Sequence, residues 1–135
     1  MKIIVVDDNK TFREGIKFYL KNMLLHNVIA TAADGLEFLQ LKNLNEADII
    51  LMDIEMPNMN GVETVKKALW RNSNLKFIAV TDYTDKAYLL ELIGAGFKSC
   101  VFKSNIYEGL KEAITSVMNN ELFFPEDMNL KHDKI

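Results

Sequence analysis

A chain of 135 residues is the length of one domain, and a domain of this size buries about two-thirds of the surface its unfolded chain exposes, so it can fold without staples. Apolar residues at 49% and charged residues at 26% make an ordinary globular mix, and the single cysteine, Cys100, excludes an intramolecular disulfide and a cysteine-built zinc centre. The net charge of −3 carries no cluster of Lys and Arg, which argues against direct nucleic-acid binding by this chain. No apolar run approaches bilayer length, so no membrane partner is expected; the sparse cysteine and lack of a signal peptide point to a cytoplasmic setting.

The first element is Ile3-Ile4-Val5-Val6, an unbroken apolar run of the kind found in strands covered on both faces. Phe12, Ile16, Tyr19, Leu20 and Met23 follow at helical spacing. Val28-Ile29-Ala30 reads as the second strand, with a weaker helix over 36–41. Ile49-Ile50-Leu51-Met52 is the third strand and leads to another weak helix over 62–70. Phe77-Ile78-Ala79-Val80 is the fourth, followed by the broad stripe of Leu89, Leu90, Leu92 and Ile93. Cys100-Val101-Phe102 is the last strand, and Leu110, Ala113, Ile114 and Val117 mark the last helix. Strands alternating with helices predict an α/β fold: a doubly wound five-stranded parallel sheet with helices on both faces. Right-handed crossovers leave few windings, of which the flavodoxin-like order 2-1-3-4-5 is expected. The domain is placed at 1–122, and 123–135 is read as a C-terminal tail or the start of a linker, because composition turns polar beyond Leu122-Phe123-Phe124-Pro125.

In such sheets the functional site lies at the carboxyl ends of the strands. Asp7-Asp8 follows strand one, Asp53 strand three, Thr81 strand four and Lys103 strand five. Each has a plainer reading alone: a helix cap for Asp7-Asp8 or Thr81, a turn former for Asp53 near Pro57 and Asn60-Gly61, a solvated cation for Lys103. Their joint placement at four of the five strand ends favours a site. Two carboxylates about 4 Å apart repel by roughly 4 kcal/mol at an effective dielectric near 20, so three of them call for a cation. An all-oxygen set suits Mg²⁺, with Mn²⁺ the alternative, and the added lysine and hydroxyl suit a phosphoryl group in transfer.

These residues sit in motifs that resemble the receiver domain of two-component response regulators, a chemotaxis-regulator-like fold. The motifs are Ile3-Ile4-Val5-Val6-Asp7-Asp8, Met52-Asp53-Ile54-Glu55-Met56-Pro57-Asn58-Met59-Asn60-Gly61, Ala79-Val80-Thr81 and Gly94-Ala95-Gly96 leading to Val101-Phe102-Lys103. The resemblance spans residues 1 to about 120. It implies Asp53 as phosphoacceptor, and Asp7, Asp8, Asp53 and the backbone carbonyl of Glu55 as Mg²⁺ ligands. Thr81 would bond the phosphoryl group and Lys103 would pair with it. The implied donor is a sensor histidine kinase or a histidine phosphotransfer protein. The implied chain is no enzyme with a separate substrate, but a switch that catalyses its own phosphoryl transfer and dephosphorylation. Phosphorylation-dependent homodimer pairing is implied around 86–95 and 106–119. The stretch after the last helix is similar to where receivers of helix-turn-helix regulators of transcription pass into their linkers.

Two positions depart from the pattern. The aromatic residue that usually stands three places before the lysine is Cys100, too small to sweep out a ring's volume and read as a buried small hydrophobe. The usually small residue after the threonine is Asp82, read as a helix cap in competition with Thr84 and Asp85, or else as a brake on phosphotransfer. Glu55 and Tyr83 fall where this family tunes hydrolysis of the aspartyl phosphate. His26 and His132 lack partners at ligand spacing, and Trp70 and the methionines read as core or partly exposed packing. The rival reading is a phosphorylation-independent docking module of the same fold. A phosphohydrolase is disfavoured because no Asp-x-Asp follows strand one, and a dinucleotide-binding domain because no Gly-x-Gly-x-x-Gly does.

Overall fold

The computed structural model describes residues 1–83 and 85–124. Five strands, β1 (Lys2–Val6), β2 (Asn27–Ala32), β3 (Ile49–Asp53), β4 (Phe77–Thr81) and β5 (Ser99–Phe102), alternate with α1 (Lys10–Asn22), α2 (Gly35–Leu39), α3 (Gly61–Arg71), α4 (Lys86–Ala95) and α5 (Ile106–Met118). All pairings are parallel and the sheet order is β2-β1-β3-β4-β5. The doubly wound reading and its strand order therefore hold.

Strand alternation divides the core. Ile4, Val6, Ile50, Met52, Phe77 and Ala79 face α2, α3 and α4, while Ile3, Val5, Ile49, Leu51, Ile78 and Val80 face α1 and α5. The central strands are buried residue for residue, whereas the edge strand β2 is only half-covered over most of its length. The helix starts are set by short polar side chains: Asn9, Asp34, Asn60 and Asp85 each accept a backbone N–H three residues on. Gly96 ends α4 at φ 110°, a left-handed conformation that glycine adopts without strain.

Several expected core positions lie at the surface. Met23 closes the α1 stripe in sequence but is 66% exposed, since α1 stops at Asn22 and Met23 caps its end. Leu90 and Ile93 are exposed on the outer side of α4, leaving Leu89 and Leu92 as its buried pair. Trp70 is not packed at all, standing 90% exposed on α3. Phe123, assigned to the tail by composition, lies beside β5: its N–H donates to the Lys98 carbonyl and its carbonyl accepts from the Cys100 N–H. The rest of that tail from Pro125 on, with His132, lies outside the described residues, as does Thr84.

Candidate functional site

Parallel strands end together at one edge of the sheet, and that geometry gathers the residues singled out above. Asp53 is the last residue of β3 and Thr81 the last of β4, both buried, and Lys103 follows β5 directly. Asp7 and Asp8 follow β1, with Asp7 turned inward and Asp8 exposed. The side chain that caps α1 is Asn9, so neither aspartate is consumed as a helix cap. Nor does Thr81 cap a helix: its Oγ1 accepts from the Tyr83 N–H at 3.1 Å.

Lys103 bridges the two buried carboxylates, with Nζ 3.4 Å from Asp7 Oδ2 and 3.3 Å from Asp53 Oδ1. The same ammonium stands 5.0 Å over the Phe12 ring, whose face attracts the cation. Asp7 is held from behind as well. Its Oδ1 accepts the Asn9 N–H, and its backbone carbonyl accepts from the Arg13 guanidinium at 2.6 Å. One positive charge thus faces a crowded anionic cluster, since carboxylate oxygens of Asp7, Asp8 and Asp53 all lie within 4.8 Å of one another. At that spacing each ionised pair repels by about 3.5 kcal/mol at an effective dielectric near 20.

The ionisation behaviour follows from this crowding. Burial, then the charge of Asp7, push Asp53 up to about 7 in spite of Lys103. Burial raises Asp7 too, against the pull of the Asn9 N–H and Lys103. For Lys103 burial works downward, but Asp53 and Asp7 outweigh it and hold its pKa above the ordinary value. Two carboxylate oxygens, Asp7 Oδ2 and Asp53 Oδ2, are buried without a hydrogen bond. Carboxylate oxygens of Asp7, Asp8 and Asp53 gathered within 4.8 Å of one another are a donor set that a hard divalent cation fits.

An open pocket above this cluster is lined by Asp53, Glu55, Thr81, Asp82, Tyr83 and Lys103. Asp82 does not cap α4, a role taken by Asp85, whose Oδ1 accepts the Tyr88 N–H at 2.9 Å; Asp82 stands exposed at the pocket's rim. The Tyr83 hydroxyl is hydrogen-bonded to Glu55, which raises its pKa. Cys100 is fully buried and its burial pushes the thiol up to about 12, as suits an inert hydrophobe rather than a reactive thiol. The feature that strand-end reasoning passed over is Tyr88, on the first turn of α4, whose hydroxyl is buried without a hydrogen bond beside this pocket's Thr81. Its spacing in the sequence marks it only as a helix residue next to Leu89.

The family model described as "Response regulator receiver domain" matches residues 3–115. The transcriptional regulatory protein YhcZ of Bacillus subtilis (strain 168), itself uncharacterized, is 33% identical over 110 residues, covering 82% of this chain and 51% of that protein. The transcriptional regulatory protein DegU of Brevibacillus brevis is 31% identical over 117 residues, covering 87% of this chain and 50% of its own. The chain therefore spans about half the length of these curated relatives. Among solved structures, a LuxR-family two-component response regulator from Aurantimonas sp. SI85-9A1 superposes with a TM-score of 0.90 at 24% identity, covering 98% of this chain and 96% of that one, and shares the fold. Among the described residues no helix is long and apolar enough to cross a membrane.

Proposed function

The chain belongs to the response regulator receiver family, and on that footing we propose that it is a cation-dependent switch that accepts a phosphoryl group on Asp53. The observation that carries this reading is the Asp53 carboxylate itself. It is 3% exposed, tied through Oδ1 to Lys103 and left with Oδ2 free of hydrogen bonds at the floor of an open pocket. A buried structural aspartate would have both oxygens satisfied.

Mg²⁺ or Mn²⁺, when bound by Asp7, Asp8, Asp53 and the Glu55 carbonyl, would supply positive charge that keeps Asp53 ionised and offsets the charge of the incoming group. The remaining work falls to the chain's own atoms. An Asp53 carboxylate oxygen forms the new bond to phosphorus. The P–N bond of a phosphohistidine breaks, and the imidazole leaves with that electron pair and takes up a proton. Lys103, already 3.3 Å from Asp53, neutralises charge gathering on the phosphoryl oxygens. The Thr81 hydroxyl, whose oxygen accepts the Tyr83 N–H, can turn to donate its proton to one of them. Hydrolysis reverses the state when water attacks phosphorus and the bond to Asp53 breaks, so the chain carries its own off-reaction. The donor is a sensor histidine kinase or a histidine phosphotransfer protein, and the setting is cytoplasmic. Because curated relatives about twice as long are transcriptional regulators, the output proposed is control of transcription through an effector region outside this domain.

The test is intact mass after incubation with acetyl phosphate and Mg²⁺, beside Asp53→Asn and a chelated control. One phosphoryl group gained only by the Mg²⁺-supplied parent is expected. No gain, where another receiver is labelled, would favour the docking-module reading instead.

A further inference from the structure

Cys100 stands where a receiver is expected to carry an aromatic ring, and a ring from another element packs against the buried cluster that holds it. Cys100 pairs with Ala79 and Phe102 with Thr81, so these side chains share the face of the sheet that α4 covers. Tyr88 packs against the cluster holding Cys100, Leu89, Leu92 and Phe102. Its hydroxyl is buried without a hydrogen bond, beside Thr81. A buried hydroxyl left without a partner costs free energy, so an arrangement that gives it one is favoured.

Two links join this ring to Thr81. One is direct: Thr81 lies beside the Tyr88 hydroxyl and draws its pKa down against the larger upward push of burial. The other runs through Tyr83, whose N–H donates to Thr81 Oγ1 at 3.1 Å and whose ring lies 5.0 Å from that of Tyr88, tilted by 51°. Any pull on Thr81 toward Asp53 therefore strains both links at once.

We propose that Tyr88 is the ring that reports the state of Asp53: with Cys100 too small for the role, α4 supplies the aromatic side chain and Thr81 sets its packing. This rests on the phosphorylation reading above. When Thr81 turns to donate to a phosphoryl group, it leaves the Tyr83 N–H and the Tyr88 hydroxyl. The two tilted rings repack, and the first turn of α4 moves with them. The outer side of that helix exposes Leu90 and Ile93, so the change is written onto an apolar surface that a partner can read.

The test follows phosphoryl uptake by intact mass and α4 by hydrogen–deuterium exchange over 85–95, in the parent, Tyr88→Phe and Tyr88→Leu. All three should take up phosphoryl groups at rates within about twofold, because Tyr88 is absent from the transfer chemistry. In the parent, phosphorylation should change exchange over α4 by about fivefold or more, the lower range of allosteric couplings. Tyr88→Leu should cut that response below about twofold, and Tyr88→Phe should fall between, since it keeps the ring and loses the hydroxyl. A labelled parent whose α4 does not respond, or a full response in Tyr88→Leu, overturns the inference and leaves the phosphorylation reading intact. Should Tyr88→Leu fail to fold by circular dichroism, an undiminished response in Tyr88→Phe overturns it. A parent that gains no phosphoryl group refutes the phosphorylation reading, and the role of Tyr88 goes with it.

Discussion

Replacing Asp53 by Asn should stabilise the cation-free protein, and the gain should grow with pH. Burial and the neighbouring Asp7 raise the Asp53 carboxyl from 3.8 to about 7. A carboxyl raised in this way holds its proton more tightly when folded than when unfolded. Its ionisation therefore takes stability away as pH climbs from the unfolded value near 4 through the folded value, and above that the loss is complete. About three pKa units at ~1.4 kcal/mol each come to about 4 kcal/mol at pH 8, shrinking to about 0.5 kcal/mol at pH 4. Asn has nearly the same shape and never ionises, so the variant escapes the whole pH-dependent loss. Water entry and side-chain relaxation reduce the figure in practice, which leaves at least about 2 kcal/mol to be seen at pH 8. At roughly 3–5 °C per kcal/mol for a domain of this size, the difference reads as about 6–10 °C in Tm. The assay is urea unfolding of both proteins with chelator at pH 5 and pH 8, repeated with Mg²⁺. Mg²⁺ should narrow the gap by stabilising the parent more than the variant. Parallel pH profiles for the two proteins would refute the reasoning, because Asp53 would then carry no electrostatic strain for a cation to relieve.

Two further outcomes bear on the same site. Asp82 lines the pocket without capping a helix, so Asp82→Ala should accept phosphate from acetyl phosphate about two- to tenfold faster, the effect of removing ~0.5–1.4 kcal/mol of like-charge repulsion; an unchanged rate by mass would dispose of the brake. A Cβ at Gly61 would overlap the Asp53 carbonyl oxygen and come within 2.9 Å of Ile54 Cα. Gly61→Ala should therefore cost about 2–4 kcal/mol in thermal unfolding and slow labelling of Asp53, and a variant as stable as the parent would contradict that packing.

Much of this is legible in the sequence, for a physical reason. A strand buried on both faces must be apolar along its length, so a polar residue at its end stands out, and Asp53, Thr81 and Lys103 are each the first polar residue after such a run. The parallel sheet then brings them together without further information. Less legible were matters decided by packing between elements. Leu90 and Trp70 are as apolar as Leu89 and Val65, and only the way α3 and α4 lie on the sheet shows which side of each helix is covered. Capping was ambiguous because Asp82 and Asp85 are chemically alike; the backbone path, with Thr81 turned onto the Tyr83 N–H, decides in favour of Asp85. Tyr88 escaped notice because its significance lies in a gap at Cys100, far away along the chain and adjacent only in space.

The pairing of Phe123 with β5 bears on how this domain can be handled apart from whatever follows it. β5 is the outermost strand on its side of the sheet, and the Lys98 carbonyl just before it and its Cys100 N–H are both met from outside by Phe123. Phe123 and Phe124 also rest against opposite cores, one on each face. A chain cut back to Asn120 would leave a bare strand edge flanked by newly wetted apolar surface, which is the template on which sheets of neighbouring molecules join. The last few residues before Pro125 thus act as a selvedge for the sheet, and trimming them risks aggregation that says nothing about the stability of the core beneath.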